Sequence, residues 1–294
     1  MKPAPFHLHL PSTLDEALAV LAGSSNARAI AGGQSLMPML NLRLAGVDDL
    51  VDLNGIAQLS GMAQEDDFIV IGAMTRQREI EQSALVARTL PLLSEAVGYI
   101  GHNQTRSRGT VGGSLCNLDP SAEIPTVAMA MDGELTIARQ GSQRTVPMRD
   151  FALGLMSTCL DPDELLTSVR LKAWPAHSGH GFVEYGRRHG DYAIVSAAAL
   201  IELAPDGTVL RCSFTLGGVA HVPCRVPAAE QMLLGRRPEP EAIKKACAQA
   251  SEIPALTDPA YPEWYRQRLA ARLLERAVHL ALERATPALT KTAP

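Results

Sequence analysis

The sequence predicts an α+β fold in two unlike parts, and three features predict it. Up to Trp174, strand-like and helical segments alternate irregularly, without the repeated βαβ units of a doubly wound sheet. The stretch from Pro175 to Gly181, rich in Pro, Ser, Gly and His, then breaks the pattern as an inter-domain linker does. Beyond it come three consecutive strand-like runs and then helical runs, an order that suits an antiparallel sheet covered by helices. A chain of 294 residues is long enough for about two domains of roughly 150 residues each. With 46% hydrophobic and 20% charged residues, the composition is that of a folded protein and excludes a wholly disordered or fibrous one.

The elements follow in order. Phe6, Leu8 and Leu10 alternate with histidines in a first strand, which turns His7 and His9 to the opposite, solvent side. Thr13 and Glu16 form a capping box for a helix carrying Leu14, Ala17, Leu18 and Leu21. Gly23 to Asn26 ends it, Ala27 to Ala31 gives a strand, and Gly32 with Gly33 makes a tight connection. A short helix from Pro38 to Leu44 and a strand from Leu50 to Leu53 complete a small βαβ-like lobe, residues 1–57. A larger lobe, residues 58–174, begins with the strand Phe68 to Ile71. Thr75 is positioned to cap a helix ending near Gln82, and Leu85 to Val97 forms an apolar helical face around Pro91. Pro120 to Met131 reads as a buried helix. Glu134 to Ile137 and Thr145 to Val146 are strands around the Gln140, Gly141, Ser142 turn, and Leu165 to Leu171 follows a turn at Asp161 to Asp163.

The C-terminal domain, residues 175–285, starts with strands at Gly181 to Tyr185, Ile194 to Glu202 and Val209 to Leu216; a Pro205, Asp206, Gly207 turn joins the last two. Helices follow at Pro227 to Leu234, Glu239 to Ala250 and Glu263 to Ala281, with Leu269, Leu273, Ala277 and Leu280 on one stripe of the last. Residues 286–294 are expected as a flexible tail.

Charge and cysteine usage narrow the function classes. Lys and Arg total 27 against 31 Asp and Glu, a net charge of -4, so no global basic field recommends nucleic acid or an anionic membrane. The N-terminus lacks the continuous apolar core of a secretory signal, and no segment reaches the roughly 20 apolar residues of a bilayer span; a cytoplasmic protein with no transmembrane segment is expected. Cys116, Cys159, Cys212, Cys224 and Cys247 show no CxxC spacing, so free thiols are expected and no metal site. His221 and Cys224 lack further ligands for zinc. His102 has no partner nucleophile, which leaves it a positioning or solvent-facing residue.

Two glycine turns concentrate the remaining chemistry. Ala31, Gly32, Gly33, Gln34, Ser35 and Leu36 follow a strand, and side-chain-free residues there can present successive backbone N–H groups to an anion. Thr110, Val111, Gly112, Gly113, Ser114 and Leu115 repeat the device, with Asn117 and Asp119 close behind. Neither turn has the GxxxxGK[ST] or GxGxxG array, and a single GG pair taken alone is more often a purely structural turn than a phosphate site. Facing one another, the two would hold a pyrophosphate.

The ordered segments AGGQSLMPMLNLRL and GHNQTRSRGTVGGSLCNLDPSAEIP, then RRHGDYAIVSAAAL at 187–200 and YRQRLAARLLERA at 265–277, resemble the FAD-binding medium subunit of the molybdenum-containing hydroxylases. The resemblance covers most of the chain and implies a two-lobed, vanillyl-alcohol-oxidase-like FAD-binding domain followed by a C-terminal domain of antiparallel sheet and helices. It further implies noncovalent FAD, its pyrophosphate wrapped by Ala31, Gly32, Gly33, Gln34, Ser35 and Leu36 and contacted by Thr110, Gly112, Gly113 and Ser114. Asn117 and Asp119 become candidates for polar contacts with FAD, Glu123 for a place behind them, and Tyr192 for a place near the isoalloxazine, though a core or interface tyrosine fits equally. Arg106 and Arg108 are candidates for phosphate attraction or for a partner contact, with surface solvation as the alternative. No residue is assigned a catalytic role. Gln34 in place of a histidine argues against covalent attachment at the first turn, and Cys116 has little claim to it.

The family's assembly implies a small subunit with two [2Fe-2S] clusters, a large subunit with the molybdenum cofactor, and a dimer of such heterotrimers. This chain would take electrons from the clusters and pass them to an external acceptor. Aromatic N-heterocycles are the leading substrate class, ahead of aldehydes and carbon monoxide. A stand-alone FAD oxidoreductase and a noncatalytic assembly protein are the competing readings.

Overall fold

The computed structural model describes residues 1–290, of which 286–290 are described by backbone alone. The first lobe is a three-stranded sheet of β1 (His7–His9), β2 (Ala27–Ile30) and β3 (Asp49–Asp52), ordered β1-β3-β2 with parallel pairings. Helix α1 (Leu14–Gly23) makes the crossover from β1 to β2; the Thr13 hydroxyl accepts from the Glu16 N–H, and Glu16 closes the capping box. Helix α2 (Leu36–Asn41) follows β2. Of the expected outward histidines and inward leucines of β1, His7 is exposed as expected and His9 is half-buried against Asp49 at 2.7 Å, but Leu8 and Leu10 are 54% and 72% exposed. An edge strand of a small sheet has little core to face, so the polar partner decides which side is covered.

The second lobe carries an antiparallel sheet, order β4-β5-β10-β6-β7, of β4 (Met62–Glu65), β5 (Phe68–Gly72), β6 (Glu134–Arg139), β7 (Ser142–Pro147) and β10 (Leu165–Lys172). Between β5 and β6 lie α3 (Gln77–Gln82), α4 (Ala84–Thr89), α5 (Pro91–Val97), α6 (Asn103–Arg108), α7 (Val111–Asn117) and α8 (Glu123–Ala130); α9 (Met148–Phe151) and the hairpin β8 (Ala152–Gly154) with β9 (Ser157–Thr158) precede β10. Two local expectations change here. Thr75 does not cap α3: its hydroxyl exchanges hydrogen bonds with Gly61 N–H and carbonyl, and Arg76 occupies the cap position. The apolar run Leu85 to Val97 is two helices, because Pro91 supplies no N–H to an earlier carbonyl and disfavours helical geometry at Leu90, so it starts α5 instead.

The C-terminal sheet, order β11-β12-β13-β14, is antiparallel throughout and comprises β11 (Gly179–Tyr185), β12 (Val195–Leu203), β13 (Val209–Gly217) and β14 (Cys224–Arg225). Helices α10 (Pro227–Leu233), α11 (Pro240–Cys247) and α12 (Glu263–Thr290) follow. Alternation along β11 and β12 sorts their side chains: Val183, Ala197 and Ala199 pack with α12, while Phe182, Ala198 and Leu200 join the core of the second lobe. Every residue of α8 is buried because the helix lies between the second lobe and the C-terminal sheet, against α5 on one side and β12 and β13 on the other. Glu95 of α5 accepts from Arg284 of α12 at 2.7 Å across the same seam. Residues 291–294, at the end of the expected tail, lie outside the described residues.

Candidate cofactor-binding site

The first glycine turn leaves β2 and enters α2. Gly33 has φ of 72°, a conformation a side-chain-bearing residue rarely adopts. Gly32 is required for another reason: a Cβ there would stand 2.1 Å from the Arg108 carbonyl oxygen and 2.9 Å from the Gly109 Cα. The two turns are therefore in backbone contact, and a Cβ on Gly113 would sit 3.5 Å from that of Ala31. Gln34 donates to the Gly32 carbonyl at 3.1 Å. The N–H groups of Gly33, Gln34, Ser35 and Leu36 have no acceptor among the described residues. Successive unpaired donors at the start of a helix form an anion cradle.

The second turn differs from the first, although the sequence makes them look alike. Gly112 N–H donates to the Ala73 carbonyl at 2.8 Å, Gly113 N–H to the Thr110 hydroxyl at 3.0 Å, and Ser114 N–H to the Thr110 carbonyl at 3.1 Å. Thr110 is the N-cap of α7, and a Cβ on Gly112 would lie 2.5 Å from that of Ala73. The backbone donors here are spent on seating α7 against β5; the turn supplies a wall beside the first turn's donors.

Two residues that sequence reasoning passed over lock the turns together. Asn54 donates to the Ala31 carbonyl at 3.0 Å, and the Arg76 guanidinium donates to both the Arg108 carbonyl and the Asn54 side-chain oxygen. Asn54 was legible only as part of an Asn-Gly turn after a strand, and nothing local to Arg76 signals its partners 22 and 32 positions away.

The remaining candidates converge from other elements. Asn117 ends α7, and Leu118 beyond it is left-handed, with φ of 46°. The Asp119 carboxylate accepts from Ser121 N–H at 2.9 Å, which shapes the entry to α8. Glu123 opens α8 and is 8% exposed. Tyr192 lies on the β11–β12 connection and is 66% exposed; desolvation first, then Asp119, raises its pKa, against a lowering by the Ser35 side chain. Tyr192 therefore lies near Ser35 of the first turn, 157 positions away in sequence. The same connection touches the second lobe where Gly190, φ 86°, packs on His102: a Cβ there would stand 2.7 Å from the imidazole.

Arg106 is not available to a phosphate. It is 7% exposed and donates to both Glu81 carboxylate oxygens, to the Ile100 carbonyl at 2.8 Å and to Asn103. The guanidinium, foremost among causes, holds Glu81 below its ordinary pKa. Replacing Arg106 by Ala is expected to cost about 3 kcal/mol, because it strands a buried carbonyl and a half-buried carboxylate; urea titration of the variant against the parent measures it. Arg108 has an exposed side chain and contributes its carbonyl. Desolvation pushes the Cys116 thiol up to about 12, which leaves little thiolate for covalent attachment. All five cysteines are free.

Comparison with known proteins now places the chain. Residues 4–174 match the FAD binding domain in molybdopterin dehydrogenase, and residues 180–281 match the CO dehydrogenase flavoprotein C-terminal domain. The chain belongs to the FAD-binding medium-subunit family of the molybdenum hydroxylases. It is 35% identical over 292 residues to the 6-hydroxypseudooxynicotine dehydrogenase complex subunit alpha of Paenarthrobacter nicotinovorans, covering 98% of each chain. The carbon monoxide dehydrogenase of Hydrogenophaga pseudoflava superposes with a TM-score of 0.94 at 34% identity, covering 97% of this chain and 99% of that one. Quinoline 2-oxidoreductase from Pseudomonas putida 86 gives 0.93 at 32% identity, covering 97% and 99%. The medium-subunit fold expected from the sequence is therefore established: a two-part FAD-binding architecture with a C-terminal sheet and helix domain. No helix among the described residues is long and apolar enough to cross a membrane.

The residues present fit a dinucleotide diphosphate. Four unpaired N–H groups point from the first turn, the close-packed glycines leave no Cβ in the way, and the Arg76 guanidinium stands behind. The protein side of the site also carries a pH dependence. Burial first, then Asp119, raises Glu123 to about 7, and burial first, then Glu123, raises Glu184 to about 8. Below the ordinary value of 4.5 both folded and unfolded chains hold these protons. Above it the unfolded chain releases protons that the folded chain keeps, so this contribution to stability falls as pH rises toward about 8 and then levels. Glu184→Gln should therefore raise the thermal midpoint relative to the parent, by a margin that grows from about pH 5 to about pH 8; a margin constant with pH would contradict it.

Proposed function

We propose that this medium subunit binds FAD noncovalently along the contact between its two glycine turns and relays electrons within a molybdenum-dependent complex. The N–H groups of Gly33, Gln34, Ser35 and Leu36 take the diphosphate, with Ala31 and Gly32 as the floor. Thr110, Gly112, Gly113 and Ser114 form the adjoining wall and hold it rigid by their internal hydrogen bonds. Asn117 and Asp119 offer polar groups at the exit of α7, Glu123 lies behind them, and Tyr192 covers the ring end of the cofactor. FAD supplies a centre that stores two electrons and exchanges them singly. The chain's own task is to orient that centre and restrict water, because no nucleophile, metal cluster or acid–base pair is needed from it.

The observation that carries this reading is the run of unpaired N–H groups in the first turn, set against a wall with none to spare. Partner chains hold the rest of the reaction: a small subunit with two [2Fe-2S] clusters as electron donor, and a large subunit with the molybdenum cofactor, assembled as a dimer of heterotrimers. Electrons leave to an external acceptor. Aromatic N-heterocycles are the preferred substrate class, supported by the similarity to quinoline 2-oxidoreductase; the similarity to carbon monoxide dehydrogenase keeps a second class open.

The test is isolation of the full chain with its co-expressed partners. Equimolar FAD, released intact by acid precipitation, is expected, together with iron and molybdenum in the partner chains. A flavin-free chain, or flavin that stays attached after denaturation, would overturn the assignment.

A further inference from the structure

A second polar feature lies in the seam behind the site. On β11, alternation turns Glu184 to the same face as Phe182, toward the second lobe. Ser196 is its cross-strand partner on β12, is 0% exposed, and has a hydroxyl without a hydrogen-bond partner. Gly217 of β13 pairs with Ser196, and a Cβ on it would stand 2.5 Å from the Ser196 hydroxyl and 2.4 Å from the Thr126 hydroxyl. Thr126 sits one turn along α8 from Glu123 and spends its own proton on the Ala122 carbonyl. The strand register and the helix turn thus bring the two glutamates to the same seam, one from each domain, near enough for Glu123 to raise Glu184. Glu184 Oε2 is sealed from solvent with no partner, and among the described residues no side chain donates to Glu123, which meets its own backbone N–H.

We propose that Glu123 and Glu184 form a buried proton-sharing pair whose charge is linked to the redox state of the cofactor site. Two like carboxylates at one seam, Glu123 buried and Glu184 half-buried, oppose each other's ionisation, and among the described residues no ion pair joins either to a cation. Asp119 precedes α8 and Tyr192 faces from the β11–β12 connection, both on the site side. On the far side Tyr99 feels Glu184 together with Glu95, Arg276 and Arg284, and Glu95 holds the Arg284 guanidinium. This inference rests on the reading that the cleft holds FAD. Electrons arriving there add negative charge, which raises the pair's proton affinity. One proton from water then bonds to a carboxylate oxygen, and its counter-charge passes to the buffer. When an acceptor removes the electrons, the O–H bond breaks and the proton returns to solvent. By reciprocity, loss of the shared proton makes the cofactor harder to reduce.

The experiment uses the full chain with carbon-13-labelled glutamate, followed by carboxyl infrared or NMR signals through a pH titration, without and with FAD. Non-ionised glutamate is expected at pH 7 in the parent, and the more basic of the two titrations is expected to vanish in Glu184→Gln. Glu123→Gln serves where that variant fails to fold, and should lower the remaining titration. In the FAD-loaded parent, reduction should increase the non-ionised signal, and the midpoint potential should fall more steeply with pH than in Glu184→Gln. Fully ionised glutamates at pH 7, with FAD bound, would overturn this inference and leave the cofactor assignment intact. Equal slopes in parent and variant would overturn the redox link. A chain that shows the non-ionised pair and takes up no FAD would overturn the cofactor reading and the link with it.

Discussion

Gly32→Ala is expected to destabilise the chain by about 3 kcal/mol and to remove FAD binding, although it adds a single methyl group. The added carbon would lie 2.1 Å from the Arg108 carbonyl oxygen and 2.7 Å from its carbon, and both belong to backbone that cannot rotate aside. Relief requires the first turn to withdraw from the second. That withdrawal breaks the alignment held by Asn54 and Arg76, so the N–H groups of Gly33 to Leu36 no longer face a rigid wall. Gly46→Ala is the matched control, because a Cβ there meets nothing within 4 Å. Urea unfolding and FAD titration of the three proteins check the claim. A Gly32→Ala chain that binds FAD as tightly as the parent would show that the close approach of the turns is not what the cofactor uses.

The second large effect is expected far from the turns in sequence. Arg266 of α12 is 8% exposed, and its guanidinium donates to the Ile194 carbonyl at 2.5 Å, the Gly218 carbonyl at 2.8 Å and Asp258 at 2.7 Å. Gly218 in turn donates to the Pro120 carbonyl at 2.7 Å, so one side chain ties α12 to the residue before β12, the residue after β13 and, through it, the segment after Asp119. Arg266→Ala should cost about 3 to 5 kcal/mol, since buried carbonyls lose their donors and the Asp258 charge loses its partner. Lysine should recover less than half, because one ammonium cannot reproduce the planar fork. The neighbouring exposed Arg268→Ala should stay within about 0.5 kcal/mol of the parent. Denaturant midpoints measure all three. Release of Ile194 should also loosen the adjoining Tyr192, visible as a weaker response of Tyr192 fluorescence or exchange to FAD.

Where local sequence carried the physics, it was readable. Thr13 and Glu16 announce α1, Gln140 to Ser142 announces the β6–β7 turn, and the alternation after residue 180 announces an antiparallel sheet, because each depends on residues within a few positions. Thr75 shows the limit: a threonine before a helix reads as a cap, yet its hydroxyl is taken by Gly61, 14 residues upstream. The arginines show it again. Arg106 reads as a free cation beside a glycine turn and is consumed by Glu81 and backbone carbonyls, whereas Arg76, which carried no signal, joins the two turns.

The amino-acid order alone determined the family, the two-part α+β plan and the candidate turns, since these rest on motif order, periodicity and backbone freedom at glycine. Tertiary structure decided which turn keeps its donors. Gly112 and Gly113 match Gly32 and Gly33 in type, but the capping hydroxyl of Thr110 and the carbonyl of Ala73 occupy one set of N–H groups and no acceptor among the described residues occupies the other. Hydrogen-bond capacity belongs to the residue; whether it is already spent depends on what the fold brings within about 3 Å.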